Sequence, residues 1–244
     1  MRRFLFRASI ALFVIAVVCA ATLWWATQSA PGWYEPPDPA DAEVAELADL
    51  VEFRVTEEAF KIRPEDEPWT LRVREEQINA WLAARLPVWF TDQTEEPWPD
   101  EIGTAQVHLV PTGVALALPI GPAEYRRVVV ATVVPSIHRD GLRLQLRELS
   151  VGRIAVPGDP VQGLLDFVGE QVPQEDQGMW MGVVDLITGK RSIPPVLELS
   201  DGRQVELTSL ECLRGAVDLT STTGRPDHAA VASSPAEASV IDAR

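Results

Sequence analysis

The chain has 244 residues, with 36 acidic against 21 basic side chains and a formal charge of −15. Setting aside Arg2, Arg3 and Arg7, which precede the first apolar run, leaves 18 basic against 36 acidic side chains. That balance repels nucleic acid and anionic headgroups at long range, so a nucleic-acid partner is not expected. The two cysteines, Cys19 and Cys212, are too differently placed to make an intrachain disulfide, so the fold has to rest on its core.

Ala8–Ala26 is apolar except for Ser9 and Thr22. As a helix it would extend roughly 28 Å, close to the thickness of a bilayer's hydrocarbon. Arg2, Arg3 and Arg7 lie before it and Trp24 and Trp25 at its far end, the asymmetry of a helix whose N-terminus stays in the cytoplasm. Val18-Cys19-Ala20 also fits a signal-peptide cleavage site. The apolar run continues past Ala20 into the two tryptophans, which favours a retained anchor. The partner of residues 8–26 is then the lipid bilayer. The expected location is the inner (cytoplasmic) membrane, with the rest of the chain extracytoplasmic, or periplasmic.

Pro31–Ala40 has four prolines and reads as a short, stiff spacer. Val44, Leu47, Ala48, Val51, Val55 and Ala59 then recur at helical spacing, with Asp41 as cap and Pro64 beyond the end. The Glu-rich remainder of that helix is a solvated face or a surface for a partner. Trp69–Val73 alternates as a strand and leads into a second helix, Glu75–Leu86, carrying Ile78, Trp81, Leu82 and Leu86 on one face, with Pro87 as its stop. Asn79 sits within this helix against propensity: it is either exposed or bonded through its amide to a buried backbone edge. Val88–Gly103 reads as a loop holding Trp89, Phe90 and Trp98.

The centre is rich in strands. Gln106–Val110 and Val114–Ile120 flank Pro111-Thr112-Gly113. Arg126–Ile137 and Leu142–Arg147 flank an Asp140-Gly141 turn, a strong hairpin signal. After Glu148 the apolar phase slips by one residue, which predicts a bulge. Asp159-Pro160 opens a third helix with Val161, Leu164, Leu165, Val168 and Val172 inward, and Gly178–Thr188 predicts a fourth, with Gly189 as C-cap. Val196–Leu199 and Arg203–Cys212 form a last hairpin around Asp201-Gly202, extending toward Leu219. From Thr220 onward the composition predicts disorder.

The expected fold class is therefore α+β: a single N-terminal transmembrane helix, then a curved antiparallel sheet packed on amphipathic helices. Residues 1–7 are the cytoplasmic terminus, 8–26 the anchor, 31–40 the linker, 41–219 the extracytoplasmic domain and 220–244 a tail.

Two stretches, LRVREEQINAWLAARLP (71–87) and VVVATVVPSIHRDGLRLQLRELSVGRIAVP (128–157), carry a resemblance. The E-x-x-N-x-W-L run at Glu76–Leu82, the paired long strands and the Val-Gly-Arg-x-x-x-Pro exit at Val151–Pro157 resemble YpmS-like membrane-anchored bacterial envelope proteins. These are akin to half of a tubular lipid-binding (TULIP-like) module. The resemblance covers roughly residues 69–173. It implies an apolar groove between helix and sheet, able to take an acyl chain, and no catalytic residue.

No reaction is written in the residues. His108 lies in an alternating strand, His138 at a turn and His228 in the tail, without metal-ligand spacing, so no metal and no cofactor is expected. His138 and Asp140 lack a Gly-x-Ser-x-Gly elbow to serve. Gly189-Lys190-Arg191-Ser192 misses the phosphate-loop pattern, since Val184 stands where its first glycine should be. The chain is accordingly read as a non-enzyme. It either binds a lipid or other apolar ligand, or serves as a structural or assembly subunit of a cell-envelope complex with a protein partner. Ile78, Trp81, Leu82, Val128, Val130, Leu144 and Leu146 are the residues expected to line a groove, and the same side chains would fill a solid core.

Overall fold

The computed structural model describes residues 15, 17–19, 21–22, 24–138, 141–163, 165 and 177–225. The proposed anchor falls partly outside them, at residues 8–14, 16, 20 and 23, as do Arg2, Arg3 and Arg7. Among the described residues no helix is long and apolar enough to cross a membrane. Those between 15 and 28 are helical (α1). Residues 164, 166–172 of the third expected helix and 226–244 of the tail also lie outside, while 160–163 and 165 are helical.

The architecture is α+β and built on two antiparallel sheets rather than one. The first runs β2 (Gln106–Val110), β3 (Gly113–Ile120), β4 (Arg127–His138), β5 (Gly141–Val151) and β6 (Ile154–Ala155) in sequence order. The second has the order β1-β9-β8-β7, where β1 is Trp69–Arg74, β7 Val196–Glu198, β8 Gln204–Leu213 and β9 Ala216–Gly224. The C-terminal hairpin is thus half of a sheet that recruits β1 from more than a hundred residues away, a pairing no local pattern encodes. β9 also carries Thr220–Gly224, expected to begin the tail. Its Thr-rich, β-branched run suits a pleated surface, and Trp69 lies opposite Ser221.

α2 (Ala42–Phe60) is capped by Asp41, whose carboxylate accepts the Glu43 N–H at 2.9 Å. It buries Ala48, Val51 and Ala59. α3 (Glu75–Ala84) ends earlier than expected, and Leu86–Thr94 forms α4 where a loop was expected. Pro87 starts this helix instead of merely ending the previous one, because a proline in the first turn forfeits no intrahelical bond. The bulge is Arg147: Leu146 pairs with Val133 and Glu148 with Thr132, so one extra residue bends β5 just before the phase slip seen in the sequence.

Two main clusters make the core. Val129, Val133, Leu146 and Leu149 on one face of the first sheet are covered by α5 (Gln177–Ile187) through Val184, which is 1% exposed. Val51, Leu71, Val73, Leu109 and Val217 join α2 to both sheets.

The junction between the sheets is a closed strand edge. β2 has β3 on one side only, and its outer backbone groups meet α3. The Asn79 amide donates to the Val107 carbonyl at 3.0 Å and accepts its N–H at 2.7 Å. One turn earlier, the Glu75 carboxylate accepts the Leu109 N–H at 2.6 Å. The Leu109 carbonyl accepts from Gly215, in the β8–β9 turn, at 3.1 Å, and the Gly215 carbonyl accepts from the Glu75 N–H at 2.9 Å. Gly215 holds φ +72°, a backbone conformation in which only glycine is unstrained. Replacing Asn79 with leucine leaves a buried N–H and C=O unpaired. Urea unfolding should then show a loss of about 2–4 kcal/mol, against a change within about 0.5 kcal/mol for the exposed control Gln93→Ala.

Candidate functional site

An apolar concavity lies between α2 and α3, not between α3 and the β4–β5 hairpin where a groove was expected. Its walls are Val51, Val55, Ile78 and Trp81, with Glu52 and Thr56 at the rim, and its volume is about 480 Å³. The sequence explains the shape. α3 is pinned to β2 by Asn79, which turns Ile78 and Trp81 toward α2. α2 is held to α3 near its middle by the Trp81 indole N–H, which donates to Glu52 at 2.7 Å, and by the Asp49–Arg85 ion pair. Farther along, α2 is drawn to the second sheet, where Ala59 packs with Leu199 and Val205. Val55 is left 42% exposed over the opening. The volume falls within the range of small-molecule sites, about 300–1,000 Å³.

The residues expected to share one groove are spread over four places. Ile78 and Trp81 line the concavity just described. Leu82, one turn on from Ile78, lines a second hollow instead, with Pro39, Trp98 and Ile102. Val128 and Val130 lie on one face of β4 with Ala115 and Ala117, covered by Trp33 and Tyr34. Leu146 lies in the filled cluster under Val184. Leu144 is opposite Pro135 in the same hairpin, on the Leu146 side of the sheet. Val51 and Val55 form the missing half of the groove. Their helical spacing was visible in the sequence, but which helix they would face was not.

The cover over Val128 and Val130 comes from the segment expected to be a short, stiff spacer. Gln106, 7% exposed, accepts the Glu35 N–H at 2.8 Å and donates to the Trp33 carbonyl at 3.3 Å. The Tyr34 hydroxyl donates to Thr104 at 2.7 Å. Trp33 stacks on His108 with centroids 5.2 Å apart, and the His108 Nδ1 lies 3.1 Å from Glu75. His138 lies 3.1 Å from the Ser136 hydroxyl at the hairpin end, and His228 is outside the described residues.

The Val151–Pro157 exit also has a structural task. Arg153 donates its N–H to Ala26 at 3.0 Å and its guanidinium Nε to Ala30 at 2.9 Å, carbonyls at the end of α1. A side chain on Gly152 would lie 2.5 Å from the Ala26 oxygen. Trp24 and Trp25, expected at the membrane interface, are each 63% exposed, with the Arg127 guanidinium 5.2 Å from the centre of the Trp24 ring.

No family model matches the chain, and no curated protein matches it. Among solved structures it is similar to a lipopolysaccharide binding protein, at 10% identity and a TM-score of 0.22, over 74% of this chain and 48% of that one. The chain thus spans about half the length of that protein, and a likeness at this score carries no weight for ligand or family.

The docked Tyr34 gives a readout of its own. Burial pushes its hydroxyl from 10.0 up to about 12, partly offset by Arg126. The folded state therefore favours the neutral phenol, and stability is lost as pH rises from 10 toward 12. Denaturant titrations should show this loss in the native protein and a shallower one in Tyr34→Phe. Equal slopes would mean that Tyr34 is not held against the sheet.

Proposed function

We propose that the chain is a membrane-anchored, extracytoplasmic, non-catalytic domain that holds an apolar ligand, a lipid acyl chain, in the groove between α2 and α3. The observation that carries this reading is the groove itself: four apolar walls, a volume of about 480 Å³ and an open rim. The acidic balance outside the N-terminal arginines disfavours an anionic headgroup, so the lipid that fits is neutral or zwitterionic. The anchor is supported by the Ala8–Ala26 run and its flanking arginines and tryptophans, which also support the inner-membrane location with the N-terminus in the cytoplasm. Because Arg153 holds the end of α1, the domain would sit against the bilayer surface, with no free tether between them. The non-catalytic reading is supported by the work its polar side chains already do. Glu75, Asn79, Gln106 and His108 are committed to a strand edge or to the Trp33–Glu35 segment.

A second reading, an assembly subunit of an envelope complex, is favoured by the large apolar side chains on the outside of α2. Leu50 is 52% exposed and Phe53 66%.

The test uses the full-length protein in vesicles containing phosphatidylcholine with a diazirine on one acyl chain. After illumination, adducts should map both to residues 8–26 and to peptides carrying Val55, Ile78 or Trp81. Val55→Trp, which fills an exposed wall, should cut the second set about fivefold or more and leave the first unchanged. Adducts confined to residues 8–26 would leave the anchor standing and remove the acyl site. Adducts in neither place would remove both.

A further inference from the structure

α2 uses one face for the fold and leaves another unused. Ala48, Val51 and Ala59 are buried, while Glu46, Leu50, Phe53, Glu57 and Phe60 recur at alternating spacings of four and three residues. That spacing puts the five on a single stripe, the seam pattern by which one helix pairs with another. Leu50, Phe53 and Phe60 are 52%, 66% and 41% exposed. Single exposed apolar residues need no explanation, but three large ones in one line on a 19-residue helix mark a contact surface.

The two glutamates say what the contact is made with. Elsewhere on α2, Asp49 pairs with Arg85, Glu52 accepts from Trp81 and Glu58 pairs with Arg63. Glu46 and Glu57 are exposed and have no ion-pair partner among the described residues. We propose that the stripe docks one helix of a partner protein that is apolar opposite Leu50, Phe53 and Phe60 and carries Lys or Arg opposite Glu46 and Glu57.

The alternatives fit less well. A second copy aligned in parallel sets Glu46 against Glu46 and Glu57 against Glu57. Aligned antiparallel about Phe53, it sets Glu46 on Phe60 and Glu57 beside Asp49, removing carboxylates from water without a basic partner. The chain's own residues 226–244 carry Asp227, Glu237 and Asp242 against Arg244 alone, so their charge has the wrong sign. A bilayer surface is met by helices with Lys and Arg on the polar face, and α2 has only Arg54. A basic amphipathic helix satisfies both the apolar positions and the acids. The stripe spans about 21 Å, two heptads, so the contact is small and of the weak, transient kind. It lies outside the α2–α3 groove and does not depend on a ligand there.

The test keeps the full chain, in phosphatidylcholine nanodiscs, with empty discs as reference. The probe is a synthetic 21-residue helix with leucine at its seam and lysine at the two seam positions that face Glu46 and Glu57. Fluorescence anisotropy should show saturable binding that weakens about tenfold or more in the Glu46→Lys, Glu57→Lys double variant. A companion helix with glutamate in place of the two lysines should bind the double variant and not the native protein. Val55→Trp, in the groove, should change neither titration. No saturable binding of the lysine helix, or binding indifferent to the charge exchange, overturns the proposal. So does a dimer in sedimentation that Phe53→Asp abolishes, since the stripe is then occupied by a second copy. All the substituted positions are exposed, and circular dichroism checks that the variants fold.

Discussion

Closure of the outer edge of β2 is the constraint from which the rest of the arrangement follows. An open edge offers a row of N–H and C=O groups that must be bonded or left in water. Here the groups at Val107 and Leu109 are taken by Asn79, Glu75 and Gly215 within a few ångströms of one another. Each such buried group, if left unpaired, costs about 1–3 kcal/mol, so the set holds α3 in one position and orientation. The same bonds bring the β8–β9 turn, and with it the second sheet, against the end of the first. Glu75 gains further from its place in the first turn of α3, where a carboxylate opposes the positive end of the helix dipole.

With α3 fixed, the groove is a consequence of two attachments of α2. Near Asp49 and Glu52 it is held to α3; around Ala59 it is drawn to Leu199 and Val205. The space between Val55 and Ile78 lies between those two attachments. The core proper is filled elsewhere, by Val184 beneath Val133 and Leu149, so the hollow is not a packing defect of the main sheet. Arg153 and Gln106 hold the entering chain to the first sheet in two places. Ala26 and the Trp33–Glu35 segment are therefore coupled to the sheet without slack.

Much of this was legible in the sequence where the signal is local. The Asp-Gly and Pro-Thr-Gly turns, the Asp41 cap and the α5 stop at Gly189 depend on backbone chemistry within a few residues. Asn79 was legible as an anomaly: an amide in mid-helix costs propensity, and a buried strand edge is one of two explanations the sequence leaves open. The sequence could not specify which strand that was. The β1–β9 pairing joins Trp69 to Ser221, and only tertiary packing selects it. For the same reason the expected groove residues were sound as apolar positions and scattered as a set. Val128 and Leu146, expected to line one groove, fall on opposite faces of the sheet, and periodicity along each strand cannot say that Trp33 covers one and Val184 the other. Pro87 read as a stop because a proline ends one helix and begins another with the same geometry, and the sequence alone does not order the two.

The claim that the α2–α3 groove holds an acyl chain is tested most directly by native mass spectrometry of the full-length protein taken from its own membranes and exchanged extensively into detergent. The account predicts one retained neutral or zwitterionic lipid per chain, absent from Val55→Trp prepared in the same way. A bare native protein, or a retained lipid indifferent to Val55→Trp, would contradict it.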